Sequence, residues 1–207
     1  MSGAYGGRMP PPALARLFHA ASAYVAATPA LARFAAGRLP AAPRYVASPP
    51  RRLSMVSRLP AHRGTASRTT QPLVEALIAA APFLRWQQSY DARSVGARFL
   101  AGYGACNIAS PEGPFLAEEI RLGIVRFGRG LHYARHVHAP AEIYAVLAGS
   151  ARFDSDGRAS ALLAANGLRV HRPRQAHAMT MGPAGLLTLF LWRGEALMAP
   201  AVIEGVS

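Results

Sequence analysis

The 207-residue sequence predicts an all-β core with a helical extension ahead of it, and three observations carry that prediction. After Phe115, short β-branched and apolar runs recur between closely spaced turn signals. Before it, apolar residues repeat with helical spacing. The formal charge of +13 is concentrated near the N-terminus. Several short strands at such spacing suggest a sandwich or barrel, and the length suits one domain with its own core.

Every basic residue is Arg, and ten of the 23 lie in residues 1–70, which contain no Asp or Glu. From Gln71 onward 13 Arg face 10 acids, a net of +3, so the charge excess belongs to the leading segment. Residues 1–70 are rich in Ala, Arg, Pro and Ser, with breakers at Pro10-Pro11-Pro12 and Pro49-Pro50. That composition predicts a poorly ordered or loosely helical tail, with an Ala-rich helix over Leu14–Leu39 interrupted at Pro29. Its makeup is similar to a transit peptide, or to an upstream extension from a misassigned start, and a cytoplasmic bacterial location is expected. A secretory signal fits poorly, because no compact apolar run follows the early Arg. No run of 18 apolar residues is present, so no membrane span is expected. The lone Cys106 reads as a small buried hydrophobe.

An ordered domain is expected over residues 71–207, with the barrel over about 115–200. Pro72–Ala81 reads as a helix with Leu73, Val74, Leu77 and Ile78 on one face, and a second helical stretch is expected over Ser94–Tyr103. Ile120–Phe127 is a strand ended by Gly128-Arg129-Gly130. Glu142–Phe153 is a strand broken at Gly149, Asp154–Gly157 a hairpin-like turn, and Asn166-Gly167 a turn within Leu162–Val170. Leu186–Trp192 is a continuous apolar strand.

The chemistry sits in Gly130-Leu-His-Tyr-Ala-Arg-His136-Val-His138-Ala-Pro-Ala-Glu142-Ile-Tyr144. Side chains alternate along a strand, so His136 and His138 share a face, and Glu142 and Tyr144 share their parity. Imidazoles plus one carboxylate suit a divalent transition metal: Zn, Fe, Mn, Co or Ni. His177, after a turn at Pro173 and before an apolar strand, is the candidate fourth ligand. His132 and His171 read as surface residues or supports for the ligands.

These residues resemble the first cupin motif, G-x5-H-x-H-x3-E-x6-G, matched without a gap by Gly130, His136, His138, Glu142 and Gly149. The second motif is matched in part: Gly167 and Pro173 are in place, Gln175 occupies a glycine position, and His177 arrives one residue early. The segments Leu84-Arg-Trp86-Gln-Gln-Ser-Tyr90, Phe99-Leu-Ala-Gly-Tyr103-Gly, Tyr133-x2-His-x-His, Glu142-Ile-Tyr144, His177-Ala-Met and Leu191-Trp192-Arg-Gly are similar to those of bacterial cupin-type dimethylsulfoniopropionate lyases.

The resemblance implies a cupin (double-stranded β-helix, jelly-roll) barrel holding one divalent metal on His136, His138, Glu142 and His177. It also implies β-elimination of dimethylsulfoniopropionate to dimethyl sulfide and acrylate, with Tyr144 and Tyr133 as the catalytic candidates. Tyr144 is the first choice as base, because its parity places it with the ligands. Tyr133 has the wrong parity and needs a bend near Ala134. Trp86, Tyr90, Tyr103 and Trp192 are candidate aromatic faces for the sulfonium through cation–π attraction. Arg135 and Arg193 are expected at the solvated surface. The expected partner is a small molecule rather than nucleic acid or membrane, with pairing into a homodimer. The rival readings are another metal-dependent cupin enzyme on a small acid (a dioxygenase or isomerase) and a non-catalytic cupin sensor.

Overall fold

The computed structural model describes residues 9–205. Helices α1 (Pro12–Ala27) and α2 (Pro29–Ala35) come first, each with Pro in its first turn, where a missing N–H costs no hydrogen bond. Pro29 thus separates the two, as the sequence suggests. Leu14, Leu17, Phe18, Ala21 and Val25 recur at three- and four-residue spacing and bury one face of α1, while Arg16, Arg33 and Arg38 point outward.

The stripe of large apolar residues is well phased, and burying each one contributes about 1.5–3 kcal/mol. A 3₁₀ stretch over Ser54–Thr65 and α3 (Gln71–Ala80) follow, and α1 lies against α3. Residues on either side of Gln71 therefore share one core. The helix expected over Ser94–Tyr103 is split at Gly96 (φ 80°) into α4 (Ala92–Val95) and α5 (Ala97–Gly102). The Asp91 side chain caps α4 by accepting from the N–H groups of Arg93 and Ser94.

Nine strands follow among the described residues: β1 (Gly104–Ser110), β2 (Phe115–Leu116), β3 (Ile120–Phe127), β4 (His132–Val137), β5 (Ala141–Ser155), β6 (Arg158–Ala164), β7 (Leu168–His171), β8 (His177–Arg193) and β9 (Val202–Ile203). The long strands β5 and β8 pair along most of their length and serve two layers. The first layer runs β2-β1-β3-β8-β5-β7, using Leu186–Arg193 of β8 and Ala141–Gly149 of β5. The second runs β9-β4-β8-β5-β6, using His177–Met181 and Ala151–Ser155. The crossover needs glycine: Gly149 has φ +75°, and a Cβ there would lie 2.1 Å from the Gly185 carbonyl oxygen.

Alternation then divides the core. Ile120, Leu122, Ile124, Ile143, Leu147, Leu187, Leu189 and Leu191 pack with the helices. Their neighbours Val125, Phe127, Tyr144, Val146, Phe190 and Trp192 share a second cluster with Tyr133, Phe153 and Met179 of the other layer. Strands covered on both faces read as continuous apolar runs, which explains Leu186–Trp192; β3 is likewise buried along its whole length, with Arg121 and Arg126 inside it. Among the described residues no helix is long and apolar enough to cross a membrane.

Candidate metal centre and its cavity

Strand register builds a row across the interior face of the first layer. Glu142 on β5 sits opposite Trp192 on β8 and His171 on β7, and Trp192 has Arg121 of β3 on its other side. Both neighbours of Glu142 bond its carboxylate. The Trp192 indole N–H donates to Oε1 at 2.6 Å, and His171 Nδ1 lies 3.3 Å from Oε2. His171 Nε2 lies 3.0 Å from Ser155 Oγ, which accepts from Arg169 Nε at 3.1 Å and Nη2 at 3.0 Å. With its lone pairs engaged by Arg169, the Ser155 hydroxyl donates to His171 Nε2. His171 Nδ1–H therefore donates to Glu142, an assignment inferred from the hydrogen-bond network. Burial lowers the His171 pKa to about 4, consistent with this neutral form.

The three remaining histidines share one local design. His136 Nδ1 donates to Ala134 O at 2.8 Å, His138 Nδ1 to Pro140 O at 2.9 Å, and His177 Nδ1 to Gln175 O at 2.8 Å. Each such bond fixes the ring and turns Nε2 inward. His138 Nε2 lies 3.1 Å and His177 Nε2 3.3 Å from Glu142 Oε2, and His177 Nε2 is buried without a hydrogen-bond partner. The ligating atoms of His136, His138 and His177 lie within 4.8 Å of one another.

Lone pairs converging on a carboxylate in a dry interior need a cation between them. The protonation equilibria express the same demand. Burial opposes the charged form of Glu142, yet the charge and hydrogen bond of His138 hold its pKa well below the carboxylate range. Burial likewise opposes the His138 cation, yet Glu142 raises its pKa. His136 is pushed well below the usual histidine value, by burial and then by His177. Three imidazole nitrogens and one carboxylate oxygen are a donor set that fits a divalent transition metal.

Two local irregularities aim these side chains. The β4–β8 register shifts between Tyr133 and His136, so an extra residue in β4 puts both on the interior face; this is the bend that parity required of Tyr133. Before His177, the left-handed turn residue is Arg174 (φ 56°), one position ahead of the expected glycine. Gln175, in that glycine position, uses its side chain to close the turn, accepting from the Arg172 N–H at 2.9 Å. His177 then opens β8 opposite His136 despite arriving early.

Glu142 also borders a cavity with about 450 Å³ of empty volume, lined by Tyr90, Tyr103, Tyr133, Tyr144, Arg121 and Trp192 among others. Tyr133 stacks on His136 (centroids 3.8 Å apart) and hydrogen-bonds the Tyr90 hydroxyl. Trp192 stacks on His138 at 4.4 Å. Burial raises the pKa of Tyr90, Tyr133 and Tyr144, and the charge of Glu142 raises that of Tyr144 further.

Trp86 is not brought to this cavity, which corrects its assignment as a substrate-binding residue. It is fully buried in the core shared with the helices, where its indole N–H donates to Ala81 O at 3.2 Å. Arg135 pairs with Asp156 and Glu204 in half-exposed positions, and Arg193 covers the Phe34 ring. Arg121, Ser155 and the specific role of His171 escape the sequence reading. The only signal for Arg121 was that it and Arg126 are charges inside the strand-length run Ile120–Phe127.

Two β-layers joined by shared long strands, with three histidines and a carboxylate converging between them, define a cupin with a candidate metal centre. The dimethylsulfoniopropionate lyase family model matches residues 30–188. The chain belongs to that family. It is 30% identical over 128 residues to dimethylsulfoniopropionate lyase DddQ of Ruegeria pomeroyi, covering 62% of this chain and 64% of the relative, just short of two thirds. A chain from the crystal structures of DMSP lyases RdDddP and RnDddQII superposes with a TM-score of 0.88 and 35% identity, over 93% of this chain and 97% of that one. The crystal structure of DMSP lyase DddQ from Ruegeria pomeroyi gives 0.85 and 26%, over 94% and 98%.

Proposed function

We propose that this chain cleaves dimethylsulfoniopropionate to dimethyl sulfide and acrylate, using one divalent transition metal held by His136, His138, Glu142 and His177. The observation that carries this reading is the convergence of Nε2 lone pairs on Glu142 at the wall of a tyrosine-lined cavity. Family membership supports the substrate. When bound, the metal supplies Lewis-acid stabilisation of charge developing on the substrate carboxylate and favours ionisation of nearby phenols.

The chain's residues supply the rest. A base removes the proton beside the carboxylate, the carbon–carbon double bond forms, and the carbon–sulfur pair leaves with sulfur as neutral dimethyl sulfide. No acid is needed for that leaving group. Tyr144 stands beside Glu142 and serves as the base; Tyr133, bonded to Tyr90, positions the substrate and shares the proton. Burial keeps these phenols neutral until a cation is present, so water alone finds no phenolate there. Faces of Tyr90 and Tyr103 hold the sulfonium at about 0.5–2 kcal/mol per ring, and Trp192, stacked on His138 and covered by Arg121, closes the wall beside them.

The test is headspace dimethyl sulfide, with acrylate in equal amount, from metal-reconstituted protein. Tyr144→Phe is expected to abolish release while metal content stays near wild type. Full activity in that variant rules Tyr144 out as the base, and no release by wild type sinks the lyase reading.

A further inference from the structure

Among the described residues, Arg121 is the one arginine in the wall of the cavity. It is 7% exposed, and among the described residues no carboxylate lies within salt-bridge distance of it. A buried charge without a counter-charge is costly, so its retention asks what completes it. The guanidinium is held in a fixed pose. Its Nε donates to Asn107 Oδ1 at 2.9 Å and its Nη1 to Leu197 O at 3.1 Å. Its carbon lies 4.9 Å from the Trp192 ring centroid and 5.4 Å from that of Phe190. Nη2 makes no hydrogen bond among the described residues, yet it is not a sealed orphan like Arg126 Nε. Burial lowers the pKa of Arg121, and the charges of Tyr103, Glu142 and Glu112 oppose that lowering from beyond ion-pair distance.

The remaining cavity wall is aromatic, suited to a soft cation, and its one carboxylate, Glu142, is already committed to Trp192 and the histidines. We propose that Arg121 is the specificity-determining residue of the cavity: its free Nη2 binds the carboxylate of the substrate and so selects small zwitterionic acids over neutral or purely cationic analogues. This rests on the lyase reading for the identity of the substrate, but not for the class of ligand. Two features support a selective role rather than a purely structural one. Asn107 and Leu197 satisfy only part of the guanidinium, leaving a donor over, and an arginine fork matches a carboxylate better than any other side chain here.

The experiment titrates metal-loaded wild type, Arg121→Met and Arg121→Lys with propionate and with propionamide, followed by tryptophan fluorescence. Wild type is expected to prefer the acid, and Arg121→Met to lose roughly 10–100-fold in propionate affinity with propionamide unchanged. Arg121→Lys keeps the charge and is expected to recover part of the preference, which guards against a Met variant that folds poorly. Equal weakening of both ligands in the two variants, or equal affinity of wild type for both, overturns the proposal. In turnover, the Met variant is expected to raise KM for dimethylsulfoniopropionate more than it lowers kcat, with little effect on the corresponding amide. The propionate titration decides the role of Arg121 even if wild type releases no dimethyl sulfide.

Discussion

Trp192→Phe separates two roles that one residue holds. The substitution keeps an aromatic face against the cavity and against His138 but removes the indole N–H that bonds Glu142 Oε1 at 2.6 Å. Trp192 is 7% exposed and Glu142 1%, so bulk water has little access to replace the donor. A hydrogen bond to a charged group contributes about 1.5–3 kcal/mol. Oε1 is then free to rotate away from the orientation that aims Oε2 at His138 and His177. Loss of such an outer hydrogen bond is expected to weaken metal binding by roughly 10–100-fold. The assay is competition with a calibrated chelator in the absence of substrate, with a urea midpoint on metal-free protein as the folding control. If Trp192 only offers a face to the substrate, its metal affinity stays within about twofold of wild type, an outcome that refutes the reasoning.

Leu17→Ala is expected to cost about 2–5 kcal/mol in urea denaturation, because Leu17 is 1% exposed in the core beneath the helices; a change near zero marks α1 as dispensable. Gly149→Ala is expected to destabilise by about 3 kcal/mol or more, through its left-handed φ and the clash with Gly185 O, and an unchanged urea midpoint refutes that close approach. Burial and then the Arg126 charge lower the pKa of His62 from 6.5 to about 4. The unfolded chain therefore takes up a proton before the folded one does, so stability from this group is complete above pH 6.5 and declines as pH falls towards 4. His62→Leu is expected to remove up to about 2 kcal/mol of the loss between pH 6.5 and 5, and parallel Tm-against-pH curves for the two proteins rule this out.

The legible part of the site lies on β4, the start of β5 and the short turn between them. His136, His138, Glu142 and Tyr144 could be read from alternation because few residues separate them and the interior face is common to all four. The row Arg121–Trp192–Glu142–His171 was not legible, since it depends on register among β3, β8, β5 and β7, and no local spacing encodes that register. The bulge that turns Tyr133 inward is also a property of two strands rather than one. In the N-terminal segment the helical spacing from Leu14 and the break at Pro29 could be read locally, whereas the packing of α1 on α3 could not. Trp86 was misplaced for the opposite reason. Its neighbours matched a family pattern, whereas its burial is decided by short bridges from Arg85 to Arg51 and from Gln87 to Ala105.

The sharing of β5 and β8 between layers has a mechanical consequence. Glu142 belongs to one layer, whereas His136 and His177 belong to the other, so an ion held among them ties the two layers together at one end of the molecule. Any breathing of the layers apart spreads the donors, and any ion that draws the donors in resists the breathing. Occupancy and local rigidity are then one thermodynamic quantity, and hydrogen exchange along β4 and the first residues of β8 should slow as metal concentration rises. With the proposed ion bound, the seam between the layers would report its presence.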